Sequence, residues 1–277
     1  MDILVTENLA VGYPGRKRQS AKTVLSDLNL TLPQGSLTLL IGANGSGKST
    51  LLRTISGAQT PLSGQVFIKG EAIDEISLRE RAKLLALVYT DRTGGGGLTV
   101  GELVGLGRQP YTGFIGRLSS EDRDAVNAAM MAVGIAHKAD NFTATLSDGE
   151  RQKAMIARAL AQQTPLIILD EPTAFLDIAS RLEIMQLLGR LANEDGKTIL
   201  LSTHDIASAI GVADRLWVVD AAERTVVQGE VTTLLGDGTM EKVFPDRPVT
   251  FNPTLNDFTI TPDRTPSPHD AKNTSLQ

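Results

Sequence analysis

The sequence contains no cysteine, so it can form neither a disulfide framework nor a zinc site built on thiolates. This absence is in keeping with a reducing compartment. No apolar run approaches the roughly 18 residues of a membrane-spanning helix, and the start at Met1 and Asp2 lacks the charged and apolar segments of a signal peptide. We therefore expect a chain that is soluble, or that is held at a membrane through a partner.

Basic residues are outnumbered, with 27 Lys and Arg against 32 Asp and Glu and a net charge of −5. A general nucleic-acid binder needs a basic face, so this balance argues against one and leaves only a local basic patch open. With 277 residues the chain can bury one large core or two modest ones.

The segment from Gly42 to Thr50 carries glycines, a lysine and a hydroxyl residue in the order G-x-x-x-x-G-K-S. An apolar run precedes it and a helical pattern follows, which predicts a loop that binds the phosphates of a nucleotide. Lys48 would reach the β- and γ-oxygens, and Ser49 would ligate Mg²⁺. A glycine-rich turn without a ligand is the alternative. The predicted ATP-binding residues of this loop are Gly42, Asn44, Gly45, Ser46, Gly47, Lys48, Ser49 and Thr50.

Two adjacent carboxylates, Asp170 and Glu171, follow the apolar run 166–169. At the end of a buried strand, Asp170 is placed to hold Mg²⁺, as the strand-end acid does in phosphate-loop enzymes. Glu171 can then polarise the attacking water. The alternative is a strand that ends in a solvated acidic turn.

The hydrophobic pattern predicts strands at 3–11, 28–32, 64–68 and 84–89, and buried parallel strands at 167–169 and 199–201. Helix starts are predicted at Ser77, Thr99, Ser119 and Ser147, the last three as capping boxes. Residues from about 94 to 160 are therefore expected to form a helical insertion between strand-rich halves. The polar, proline-containing stretch from Pro262 predicts a disordered tail.

The stretch from Leu146 to Gln152 resembles the signature motif of ATP-binding cassette proteins, and its distance before Asp170 fits that family. The resemblance implies that Ser147 and Gly149 face the γ-phosphate of an ATP held by a second subunit. Ser147 and Glu150 also form a capping box, so a purely structural role for this stretch exists. Asp148 stands where the family has a glycine; it either weakens phosphate attraction or points away.

Three further segments match the family in order and spacing. Residues 173–177 resemble the loop that crosses the dimer interface, with Ala174, Leu176 and Asp177 as interface residues. His204 corresponds to the switch histidine that senses the γ-phosphate. Tyr13 matches the aromatic residue that stacks on adenine, with surface packing as the alternative.

The family's glutamine that contacts Mg²⁺ is replaced by Thr90, and either Asp91 substitutes through a water or the position is inert. Residues 98–104 and 106–111 resemble the ATPase subunits of importers for ferric siderophores, haem and cobalamin. In such systems this segment lies against the permease, so Arg108 and Tyr111 are expected at that interface.

The resulting expectation is an α/β phosphate-loop ATPase core with an antiparallel β subdomain and an inserted α-helical subdomain. It divides the chain into an ATPase domain at 1–240, a C-terminal extension at 241–261 and the tail at 262–277. The cofactors are ATP and Mg²⁺, and Lys48, Glu171 and His204 are the catalytic residues.

Because one chain offers one phosphate loop and one signature motif, we expect a homodimer. It would lie at the cytoplasmic face of the inner membrane under permease subunits, served indirectly by a substrate-binding protein and without nucleic acid. The alternative function is a soluble cassette ATPase that acts as a clamp in DNA repair, translation or cluster assembly. Such clamps need a long coiled coil, two cassettes in one chain or a basic surface, none of which the sequence displays.

Overall fold

The structure is a computed structural model that describes residues 1–15, 20–89, 97–113, 116–243, 249–252, 254–255 and 257–260. Thr90, Asp91 and the predicted tail at 262–277 lie outside the described residues. None of the helices in these ranges has the length and apolar character needed to span a bilayer.

A six-stranded sheet forms the centre of the molecule, in the order β11-β10-β4-β9-β8-β7. All its neighbouring strands are parallel except the antiparallel pair β10–β11. The phosphate-loop strand β4 thus lies between β10 and β9. The strands are β4 (Leu37–Ile41), β7 (Leu85–Val88), β8 (Leu166–Asp170), β9 (Thr198–Ser202), β10 (Arg215–Asp220) and β11 (Thr225–Glu230).

Every residue of β4, β8 and β9 is buried, as expected of continuous apolar runs covered on both faces. Alternate residues face opposite ways, so Leu39 packs into one hydrophobic cluster and Leu40 into the other. The two clusters therefore cover the two faces of the sheet. The loops that carry the polar residues follow the carboxyl ends of its strands.

A second, antiparallel sheet has the order β2-β1-β5-β6, with β3 also pairing with β1. Its strands are β1 (Asp2–Tyr13), β2 (Lys22–Leu28), β3 (Thr31–Pro33), β5 (Ser63–Ile68) and β6 (Glu71–Ala72).

The prediction of a single strand at 28–32 is wrong. The strand is interrupted after Leu28, where β2 ends, and β3 begins at Thr31. The side chain of Thr6 fills the gap: its hydroxyl donates to the Leu28 carbonyl at 2.9 Å and accepts from the Leu30 amide at 2.8 Å.

The helical region lies between β7 and β8, and the predicted helix starts within it are confirmed. Thr99, Ser119 and Ser147 each cap a helix with the side chain three residues later bonding back, which satisfies two backbone donors at each helix start. Ser77 also caps its helix as predicted. The helices are α1 (Lys48–Ile55), α2 (Leu78–Leu84), α3 (Val100–Gly105), α4 (Ser120–Ala132), α5 (Asp148–Ala161), α6 (Ile178–Asn193), α7 (Ile206–Ala209) and α8 (Val231–Gly236).

The C-terminal extension contains a hairpin of β12 (Val249–Asn252) and β13 (Asp257–Ile260). The rings of Phe251 and Phe258 meet edge to face with centroids 5.4 Å apart. Phe251 is buried in the same cluster as Leu234, Met240 and Val243, so the hairpin is packed on the main core.

Candidate functional site

The phosphate loop connects β4 to α1 in the central sheet. Gly47 is the N-cap residue of α1 with a φ of 106°, a left-handed conformation that favours glycine. No side chain among the described residues caps this helix, so its first amides are directed at the loop. A helix start with amides that lack a protein partner is a favourable place for phosphate oxygens.

Lys48 is buried in this loop, with a side chain only 6% exposed. Its ammonium group donates to the carbonyl oxygens of Gly42 and Ala43 at 2.7 and 3.2 Å. Burial lowers the pKa of Lys48, while the carboxylates of Glu171 and Asp170 raise it in partial compensation. The ammonium group of Lys48 is therefore fixed at the bottom of the loop.

A pocket of about 310 Å³ lies above the loop and gathers most of the predicted ATP-binding residues. Tyr13 stands at its rim at the end of β1, half exposed, with its hydroxyl 3.3 Å from that of Thr50. Gly42 and Ser46 do not line this pocket but belong to the same loop. The lining residues are Tyr13, Lys22, Val24, Asn44, Gly45, Gly47, Lys48, Ser49, Thr50 and Glu171.

Asp170 and Glu171 come directly from the carboxyl end of β8. The Ser202 hydroxyl, at the end of the neighbouring strand β9, donates to the Asp170 carboxylate at 2.6 Å. The Glu171 amide donates to the same hydroxyl at 3.0 Å, and Glu171 has a left-handed φ of 48°. Sequence reasoning missed Ser202, although a serine at the end of the next buried apolar run was the available signal.

The Glu171 carboxylate lies between two cationic or potentially cationic groups. One of its oxygens is 4.0 Å from Lys48 Nζ, and the other is 3.4 Å from His204 Nδ1. Lys48, Glu171 and His204 follow β4, β8 and β9, so the sheet brings these predicted residues together.

The loop after His204 is fixed by Asp205, which caps α7 and accepts from Arg181 at 2.7 Å. Burial raises the pKa of Asp205, but its bonds with Ser208 and Arg181 outweigh this, and the net pKa is lowered.

Asp257 and Phe258 of the C-terminal hairpin line a second cavity, of about 340 Å³, together with Gly42, Asn44 and His204. Sequence reasoning did not place the hairpin next to the switch histidine. The contact depends on the packing of Phe251, which no local pattern announces.

The signature stretch begins α5 and is exposed at Ser147 and Asp148. The Ser147 hydroxyl accepts from the Glu150 amide at 3.3 Å, and Glu150 accepts from the Ser147 amide at 3.0 Å. The Lys138 ammonium beside Glu150, reinforced by Ser147, lowers the pKa of this carboxyl to about 2. Asp148 pairs with Arg151 at 3.1 Å, so its carboxylate is directed along the helix.

Gly149 lies where α5 approaches the start of α6. A Cβ atom at this position would stand 2.8 Å from the Ser180 hydroxyl, which itself donates to Asp177. Asp177 caps α6 by accepting from the Ser180 amide. Hydrogen bonds led by that of the Ser180 amide lower the pKa of Asp177. A larger residue would force the Ser180 side chain to shift, so close packing favours glycine here.

The exposed apolar residues around the start of α6 are not the one predicted for the dimer interface. Leu176 is buried in the chain's own core, whereas Phe175 is 67% and Ile178 75% exposed. Ala174 is partly buried. None of Ser147, Gly149, Ala174, Leu176, Asp177 and Tyr111 lines the 310 Å³ pocket of the same chain.

Arg108, which is expected against a permease from the sequence, is held inside the helical region instead. Its guanidinium is buried and pairs with Asp122 of α4 at 2.8 Å. Tyr111 stacks on this guanidinium, with the ring centroid 4.0 Å from it, and remains partly exposed. The buried guanidinium is satisfied by the Asp122 carboxylate, the Ala161 carbonyl and the Gln163 side-chain oxygen, partners that the sequence alone does not reveal.

Comparison with known proteins places this geometry among ATPases. The family model described as ABC transporter matches residues 25–174. The iron(3+)-hydroxamate import ATP-binding protein of Bacillus subtilis is 39% identical over 258 residues, covering 92% of this chain and 93% of the relative. The ferric enterobactin transport ATP-binding protein of Escherichia coli is 39% identical over 238 residues, covering 86% and 85%.

A solved dimeric structure of an ATP-binding cassette in a post-hydrolysis state, bound to ADP and phosphate, has the same fold. It superposes with a TM-score of 0.70 at 29% identity and covers 82% of this chain and 98% of that one.

Proposed function

This chain belongs to the ABC transporter family and is an ATP-binding ATPase of that family, and we propose that it powers a membrane importer of ferric siderophores or similar chelates. The arrangement that carries the proposal is the convergence of Lys48, Glu171 and His204 at the carboxyl ends of three neighbouring strands. Ligands of open α/β sheets bind at this edge, where the loops can surround them.

The proposed site binds ATP with its phosphates on the loop amides and its base against Tyr13. Lys48 neutralises charge that develops on the β- and γ-oxygens. Glu171 orients the attacking water and accepts its proton, and His204 donates a hydrogen bond to the γ-phosphate.

Ser49 and Asp170 are the proposed residues for Mg²⁺. The described residues contain no cluster of three or more Asp, Glu, His or Cys side chains that could hold a metal. Mg²⁺ keeps several waters and takes one or two protein oxygens together with phosphate oxygens, a share that one hydroxyl and one carboxylate can supply. When bound there, Mg²⁺ would offset the negative charge of the phosphate groups.

We propose that two copies of the chain form a head-to-tail homodimer with two shared sites. Ser147 and Gly149 stand at the start of α5, outside the pocket that holds Lys48 and Glu171. A second copy can bring its own Ser147 to that pocket. The exposed Phe175 and Ile178, beside Ala174 and Asp177, supply apolar surface for the same contact.

The permease would dock in a groove of about 370 Å³ between the helical region and the central sheet. Leu78 and Leu106 are 76% and 40% exposed and provide apolar contacts for a helix of the partner. Arg81 and Arg158 also line the groove, and burial lowers the pKa of Arg158. Docking there places the chain at the cytoplasmic face of the inner membrane, with the substrate-binding protein acting on the far side.

The shared site is tested by mixing two inactive subunits. Lys48→Ala and Ser147→Arg chains should form heterodimers that contain one intact site and one doubly damaged site, so part of the ATPase activity should return. The measurement is ATP turnover of purified heterodimers carrying two different affinity tags. Each parent alone is the control. Heterodimers as inactive as both parents would contradict the cross-subunit role of Ser147.

A further inference from the structure

We propose that Gln162 is a positioning residue for the shared ATP site. It follows the last residue of α5 and ties that end of the signature helix to the catalytic core. By this tie it sets where Ser147 is presented to the second subunit. The inference rests on the proposed dimer and adds a residue that the signature motif does not include.

The side-chain amide of Gln162 joins two elements of the core. Its Nε2 donates both to the carbonyl oxygen of Ala82, in α2, and to that of Leu85, the first residue of β7, at 2.9 Å to the latter. Ala82 belongs to the last turn of α2, where carbonyl groups lack helical partners. One amide group therefore uses both its hydrogens to close the junction between α2 and β7 against α5.

Two further side chains hold the backbone at the same end of α5. Arg108 donates to the Ala161 carbonyl at 2.7 Å, and the Tyr111 hydroxyl donates to the Gln162 carbonyl at 2.9 Å. A positive charge at the carbonyl end of a helix is favourable. The contact is close because of Gly107, where a Cβ atom would lie 2.2 Å from the Arg158 carbonyl oxygen.

Because α5 is long, a small change of its direction at the Gln162 end moves Ser147 at its other end. The helix has 14 residues, which is about 21 Å at a rise of about 1.5 Å per residue. A rotation of about 5° at the Gln162 end would therefore move Ser147 by about 2 Å. Displacements of this size are enough to weaken a site that depends on positioned groups.

The tie also lies in the groove proposed for the permease. Ala82, Leu85 and Gln162 line it together with Leu106 and Arg158. A partner helix bound there would contact both the donor residue, Gln162, and the acceptor residues, Ala82 and Leu85. Gln162 thus connects the groove to the signature end of α5 through a rigid helix.

The test measures ATP-dependent dimer formation in the full-length Glu171→Gln background, which slows hydrolysis. Adding Gln162→Met, which keeps the length of the side chain but removes its donors, should raise the ATP concentration for half-maximal dimer about fivefold to tenfold. Binding of ATP to the monomer should change less than twofold, because the 310 Å³ pocket is untouched. Gln162→Ala should give the same shift and guards against an effect of the methionine itself.

Gln109→Ala is the matched control. Gln109 lines the same groove, but within the described part of the chain its side-chain amide bonds to neither α2 nor β7. It should leave the ATP requirement for dimer formation within twofold of the background. Gln162 variants that behave like Gln109→Ala would overturn the inference.

Different results would contradict the proposed function itself. It is contradicted if the Glu171→Gln chain forms no dimer with ATP, or if co-reconstituted permease does not stimulate the wild-type ATPase. If the Glu171→Gln chain does form a dimer with ATP and the permease does stimulate the wild-type ATPase, the proposed function stands. If Gln162→Met then leaves the ATP concentration for half-maximal dimer unchanged, only the positioning role of Gln162 is wrong.

Discussion

Two polar clusters of this chain are built from similar charges but in opposite ways. Around Glu171, the separations from Lys48 and His204 are 4.0 and 3.4 Å, and the His204 side chain is 53% exposed. Around Arg108, the separation from Asp122 is 2.8 Å and both side chains are less than a tenth exposed. The first cluster retains room to reorganise around phosphate, whereas the second fixes helices in place.

The largest expected effect is on the second cluster. Arg108→Ala should lower the free energy of unfolding by about 3–5 kcal/mol, because it leaves the Asp122 carboxylate buried without its cation. Urea denaturation followed by circular dichroism measures this. Lys83→Ala, which breaks an exposed pair on α2, is the control and should cost less than about 1 kcal/mol. A loss as small as that of the control would show that the Arg108 cluster is not stabilising.

The same variant carries a pH test. Hydrogen bonds from the Ser119 amide and from Arg108 lower the pKa of Asp122. Its contribution is therefore present above the unfolded pKa of about 3.9 and is lost as the pH falls below that value toward the folded pKa. The difference in stability between wild type and Arg108→Ala should shrink over this acid range and stay constant from about pH 5 to 7.

Glu171→Gln should reverse the pattern, with a large loss of rate and a small change in stability. We expect hydrolysis to fall about 100- to 1000-fold, because the side chain keeps its reach but loses the charge that orients water. Stability should stay within about 0.5 kcal/mol, as for a partly exposed residue without short contacts. ATP turnover and urea denaturation on one preparation give both numbers. Unchanged turnover would remove Glu171 from the mechanism.

The smallest effect is expected at Asp148. Its pair with Arg151 at 3.1 Å is exposed and lies within one helix, so Asp148→Gly should leave the ATP requirement for dimer formation within about threefold. Asp148→Asn, which removes only the charge, separates electrostatics from backbone freedom. A tenfold or larger improvement in both variants would mean that this carboxylate opposes the phosphate.

The parts that could be predicted from the sequence depend on local physics. The phosphate loop, the strand ending at Asp170 and the capping box at Ser147 each follow from a few neighbouring residues. Their chemistry is complete within about ten positions, so a single stretch of sequence is enough to indicate them.

The parts that could not be predicted depend on distant partners. Arg108 looks like a surface residue until the fold brings Asp122 and the Ala161 carbonyl around it. Ser202 becomes part of the acidic site only because β9 pairs with β8. In each case the decisive neighbour lies far along the chain, where no local pattern can announce it.

The position of β4 has a consequence for how the protein is made. The strand pairs with 199–202 on one side and with 215–218 on the other. At about 5–20 residues per second, a ribosome needs about 10 to 35 s after β4 to produce the last of these partners. Throughout that time the four apolar residues of β4 have no sheet to pair with, and the nascent chain must be protected from aggregation. ATP can therefore help the chain fold only after about four fifths of it has been translated.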